Sequence, residues 1–131
     1  MLGIDTNVFV RLLISDDAAQ TRRARKLIDQ SVALDESVLV SLLVLIETEW
    51  VLRGRYELDR RTMLSLFRAA LEARELYFED EPAVEEALFH WQESASGLAD
   101  CLIAAHNRQL GCRATATFDS KAARLPATLL L

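Results

Sequence analysis

The chain has little turn-forming material: four glycines and two prolines in 131 residues. That scarcity excludes linker-rich and low-complexity segments and requires short connections between regular elements. Only two cysteines occur, Cys101 and Cys112, with no CxxC pair. A disulfide framework is excluded, and both read as small buried thiols in a reducing compartment. No apolar run approaches the roughly 20 residues that a bilayer span needs; the longest is Val38 to Ile46. Asp5 interrupts the N-terminal apolar stretch before it can act as a signal peptide. The expectation is a soluble, cytoplasmic protein with no membrane role. His90 and His106 have no metal-motif spacing, which argues against zinc.

Positive charge is also in deficit. Fifteen basic and twenty acidic residues give a formal net charge of -5. A basic field over the whole protein is excluded, but a local basic stripe sufficient for phosphate contacts is not. Aromatics are few, and Trp50 and Trp91 fall on apolar helical stripes, where they read as packing residues rather than stacking platforms. What the chain does have is apolar content, 51% of its residues. At this length it reads as one domain, residues 1–131, that buries roughly two-thirds of its unfolded surface.

The apolar pattern alternates between short runs and helical stripes. Residues 2–4, 37–41, 76–78, 113–118 and 128–131 read as strands. Helices are expected from Thr6 to about Leu13, from 17 to 30, after the second strand to about Arg53, around Met63 to Leu71, from Pro82 through Trp91, and over 98–110. Strands alternating with helices indicate an α/β domain of three layers. The expected centre is a mostly parallel sheet of four to five strands flanked by helices. Such sheets place ligand sites outside the carboxyl ends of their strands.

Four acids fall near those ends. Asp5 follows the first strand, Asp119 follows the strand ending at Phe118, Asp100 lies in the first turn of its helix, and Glu47 lies in the helix after the second strand. Each alone has a structural reading: Asp5 as an N-cap, Asp100 as a complement to the helix dipole, Asp119 as a turn residue. Glu47 resists one, because Val44, Trp50 and Val51 surround it at helical spacing, and a half-buried carboxylate is costly unless neutralised. Four converging carboxylates repel one another unless a cation intervenes. Hard oxygen ligands favour magnesium, with manganese as a substitute.

The segments "GIDTNVFVRLL", "VLIETEWVLRGRY", "GLADCLIAAHNRQLGC" and "ATATFDSKAARLP" follow one another in the order and spacing of the four PIN-domain motifs. The whole chain resembles that family, and within it the VapC-type toxin ribonucleases. The resemblance implies a magnesium-dependent endoribonuclease that hydrolyses RNA phosphodiester bonds through metal-activated water. It implies that Asp5, Glu47, Asp100 and Asp119 form the catalytic metal-holding cluster, with Thr6, Asn7 and Thr117 as supporting polar residues. It further implies a homodimer and a VapB-type antitoxin partner. Many relatives carry an additional Asp at the position of Gly97, three residues before Asp100. For holding RNA, two basic clusters stand out: Arg22, Arg23, Arg25 and Lys26, and Arg53, Arg55, Arg60 and Arg61. Arg11, one turn beyond Asn7, is a further candidate. Gly97 also motivates a rival reading, a catalytically silent PIN-like module that binds RNA or protein. A phosphatase with an Asp after its first strand is disfavoured, because Asn7 stands where the second Asp is wanted.

Overall fold

The computed structural model describes residues 1–131. The chain divides into two compact units, Met1–Glu79 and Asp80–Leu131.

In the first unit, β1 (Leu2–Gly3), β2 (Val38–Val40) and β3 (Leu76–Phe78) form a parallel sheet in the order β1-β2-β3. The register pairs Leu2 with Val38, and Val38 in turn with Leu76. The central strand is the most enclosed: Val38 and Val40 are buried, as expected of a parallel strand covered on both faces. Four helices surround the sheet: α1 (Thr6–Leu13), α2 (Ala18–Ala33), α3 (Leu42–Gly54) and α4 (Arg60–Glu72). Each starts at a side chain that accepts a hydrogen bond from a first-turn backbone N–H. Asp5 caps α1, Asp17 caps α2, Ser41 caps α3 and Asp59 caps α4. Phe9 of α1 is fully buried and meets Phe78 of β3 edge to face, with ring centroids 6.1 Å apart.

The second unit is a helical hairpin beside a strand pair. α5 (Glu81–Glu93) packs on α6 (Leu98–Gln109), with Val84, Ala87, Leu88 and Trp91 facing Cys101, Leu102 and Ala105 across a buried core. Pro82 sits in the first turn of α5, where its missing N–H costs nothing. α6 ends at Gly111, whose φ of 92° is a conformation that favours glycine. There the Gly111 N–H donates to Arg108 O and the Cys112 N–H to Asn107 O, the paired bonds of a Schellman cap. β4 (Thr115–Thr117) and β5 (Thr128–Leu130) then pair in parallel, joined through a 3₁₀ turn at Ala122–Arg124. No helix is long and apolar enough to cross a membrane.

The α/β class, the parallel pairing and all five strands agree with expectation, as do the six helices. The sheet is divided, however: three strands belong to one unit and two to the other. Three local expectations also fail. Cys112 is exposed, because the Gly111 turn carries it off the helix. Trp50 is 66% exposed rather than packed. Glu47 is exposed as well, and the acid that α3 turns inward is Glu49. The inward face of α3 is Leu42, Leu45, Thr48, Glu49 and Leu52. The outward face is Leu43, Glu47, Trp50 and Gly54, at the same helical spacing. Glu49 tolerates burial because Arg53, one turn on, donates Nε to its Oε1 at 2.9 Å.

This orientation separates the two glutamates by experiment. Glu49→Gln is expected to lose on the order of 1 kcal/mol of unfolding free energy, whereas Glu47→Gln stays within about 0.5 kcal/mol of wild type. Urea denaturation of both variants checks it, and the opposite ranking contradicts this placement of α3.

Candidate functional site

Parallel pairing of β1 on β2 brings their carboxyl ends to one edge of the first unit. Ile4 N donates to Leu39 O at that edge, and Asp5 follows at once. Asp5 has extended backbone (φ -90°, ψ 177°), so it starts α1 without entering it. Its Oδ1 accepts from Val8 N at 3.1 Å, and the carboxylate is exposed. The cap orients one oxygen and leaves Oδ2 without a protein donor. Thr6 is buried, whereas Asn7 is exposed. α3 starts at the same edge directly after β2, and α1 packs against it. Glu47 lies in the second turn of α3, on the solvent face. Sequence reasoning missed Glu79, which follows β3 here: its Oε1 accepts from Leu42 N at 2.8 Å. Ser41 and Glu79 together satisfy the start of α3.

The second unit carries the other two acids. Asp100 is the third residue of α6 and is half-buried. Asp119 follows β4; its Oδ1 accepts from Lys121 N at 2.8 Å, and its own N–H donates to Thr117 Oγ1 at 3.0 Å. Thr117 therefore positions Asp119. Asn107 ties α6 to β4 by donating Nδ2 to Thr115 Oγ1. Ser96, a residue that sequence reasoning passed over, is 2% exposed, and its hydroxyl donates to Lys121 O at 3.2 Å. That bond holds the start of α6 beside the turn that carries Asp119. Its only signal in the sequence is its place next to Gly97.

Asp5, Glu47, Asp100 and Asp119 form no ion pair with any basic side chain, unlike Asp16, Glu49, Glu86 and Asp80. Unneutralised carboxylates are the donor type that a hard divalent cation prefers. No group of three or more His, Cys, Asp or Glu side chains stands in metal-holding geometry. His106 is engaged with Asp80 at 2.5 Å, where Asp80 also caps α5.

The basic candidates divide. Arg11 is committed to a network: it donates Nε to Gln20 Oε1 at 2.7 Å, and Nη1 to Asp16 Oδ1 at 2.9 Å and to Tyr56 Oη at 3.0 Å. Tyr56 donates in turn to Asp16 Oδ2 at 2.8 Å. Arg53 is engaged with Glu49, whose hydrogen bond and charge raise the guanidinium above its ordinary pKa. Arg55 is exposed, with its guanidinium 5.9 Å from the centre of the Tyr56 ring. An open cleft of about 640 Å³ runs between α1 and α2, bordered by Asp5, Asn7, Arg11, Arg23, Lys26 and Gln30. Arg25 instead faces a second cavity beside Asp29.

A model of the PIN domain matches residues 3–127, and so runs through both units. The chain belongs to the PIN domain family. PIN domains are in general nucleases that use divalent metals and act on nucleic acid. No curated protein matches the chain in sequence.

The Arg11 network carries a pH signature. The Tyr56 hydroxyl, followed by the Arg11 charge, holds the Asp16 carboxyl below its ordinary value of 3.8. A carboxyl depressed in the folded state contributes stability that is fully present above its unfolded pKa and is lost as pH falls through the folded one. Asp16→Asn is therefore expected to lower stability at pH 7 and to flatten the acid limb below about pH 4. Denaturant titrations from pH 7 to pH 3 measure both; parallel wild-type and variant curves contradict the coupling.

Proposed function

We propose that this chain is a magnesium-dependent endoribonuclease, with manganese able to replace magnesium. It acts as the toxin of a type II, VapBC-like toxin–antitoxin pair in the cytoplasm. It is a homodimer and is silenced by a VapB-type antitoxin. PIN membership supports the nuclease chemistry. The observation that carries the reading to this chain is Asp5: exposed, unpaired, and held by its cap at the carboxyl end of β1. In this reading Asp5, Glu47, Asp100 and Asp119 would hold the cation, so their convergence on one ion is itself part of the proposal. Bound there, the cation would offset charge building on the phosphoryl oxygens and the leaving group. The chain's own residues supply position. Val8 N fixes one oxygen of Asp5, Lys121 N fixes one oxygen of Asp119, and Thr117 holds the Asp119 backbone.

Asp5→Asn is a clean test, because Asn caps a helix about as well as Asp. The substitution removes a charge and keeps the cap. RNA cleavage in Mg²⁺ or Mn²⁺ is expected to fall at least about a hundredfold, with the unfolding midpoint little changed. Equal cleavage by variant and wild type defeats the nuclease reading.

A silent binding module is the second reading, and Gly97 favours it. A Cβ built there meets only Asp100 Oδ2, at 4.0 Å, and the backbone φ of -73° suits any residue. The further acid found in many relatives thus fits beside Asp100 without strain. Gly97→Asp is expected to tighten Mn²⁺ binding severalfold by calorimetry. Unchanged affinity places residue 97 outside the ion's reach.

A further inference from the structure

We propose that the cleft between α1 and α2 binds the phosphate backbone of single-stranded RNA, with Arg23 and Lys26 contacting phosphates and Asp5 at its border. The strand's role as substrate rests on the nuclease reading above; the binding surface does not. Four observations carry the proposal. First, the cleft is large and open, about 640 Å³, and Asp5 is its only acidic lining residue. Second, Arg23 and Lys26 are exposed and form no ion pair, while Arg11 on the opposite wall is neutralised by Asp16. Two free cations thus face a groove whose third is already balanced. Third, the basic run of α2 is split by the helix: Arg23 and Lys26 border this cleft, Arg25 lines the other cavity, and Arg22 lines neither. Helical spacing puts residues 23 and 26 on one face of α2, and that face is the one that borders the cleft. Fourth, the rest of the lining suits a nucleic-acid strand. Val8, Ala24 and Leu27 give an apolar floor, and Gln30 gives an amide.

Length selects the strand type. From Gln20 to Gln30 the α2 wall extends about 15 Å at ~1.5 Å per residue. That accommodates a few nucleotides of an extended single strand. Double-stranded RNA is usually gripped over about 16 base pairs, far more than this wall offers.

The test uses the full chain and a labelled, unstructured 20-nucleotide RNA in EDTA, with anisotropy measured across a salt series. Arg23→Ala/Lys26→Ala is compared with Arg74→Ala/Arg113→Ala, which removes the same charge from exposed positions outside the cleft. The cleft pair is expected to weaken binding about tenfold at low salt and to reduce the slope of log K against log salt by about 1.4, two single-strand phosphate contacts. Arg23→Lys/Lys26→Arg is expected to restore both. Equal affinity and slope for the two Ala pairs overturn the proposal, whether both pairs lose binding or neither does. Mn²⁺-dependent cleavage is followed in parallel. Wild type that binds through the cleft yet never cleaves leaves the cleft standing and defeats the nuclease reading. Asp5-dependent cleavage that is indifferent to Arg23 and Lys26 does the reverse.

Discussion

Parallel pairing of β1 on β2 is the constraint on which the first unit's candidate site depends. β1 is only two residues long, so it has no stability of its own and borrows it from Val38–Val40. Once paired, the strand must hand over to a helix at the sheet's carboxyl edge. Asp5 is the residue at that handover, and its backbone is extended because the strand has just ended. The same carboxylate therefore satisfies the α1 N-terminus and stands at the edge where α/β sheets keep their ligands. The structural and functional readings of Asp5 are not rivals. The cap holds one oxygen in place, and the other has no protein donor. Asp119 repeats the device at the end of β4, with Lys121 N in place of Val8 N.

The two units reach a similar result by different means. In the first, a sheet edge collects Asp5, the start of α3 and Glu79. In the second, a buried serine does it. Ser96 joins the start of α6 to the Asp119 turn, and Asn107 ties the end of α6 to β4. Burial makes such polar links specific, because a hydroxyl without a partner is costly there. The Arg11–Asp16–Tyr56 network does related work in the first unit. It ties the end of α1 to the segments preceding α2 and α4, and so shapes one wall of the cationic cleft.

Much of this was legible in the sequence where one local signal decided the outcome. Asp17 marks a helix start, Pro82 marks a first turn, and Leu76-Tyr77-Phe78 is a strand at the boundaries expected; Ser41, expected in the second strand, instead caps α3. The failures came where several residues compete for one face. Counting Val44 and Val51 around Glu47 suggested an apolar pocket. Leu43 and Trp50 share its face, though, and both are exposed, so that side of α3 is solvent despite its apolar letters. The acid that α3 turns inward is Glu49, whose ion pair with Arg53 makes that burial tolerable. Arg11 looked like a free RNA contact because Asp16 and Tyr56 lie on other segments, and no helical period brings them together. Which two cations of the basic run in α2 face the cleft depends on how that helix rolls against α1, which only the packing decides.

The central proposal is that residues 5, 47, 100 and 119 hold one divalent ion. Paramagnetic broadening by sub-stoichiometric Mn²⁺ in the NMR spectrum of the labelled protein tests it most directly. The claim requires resonances around all four residues to broaden together, and to recover together on EDTA addition. Broadening confined to one unit, or scattered over surface acids without preference, contradicts it.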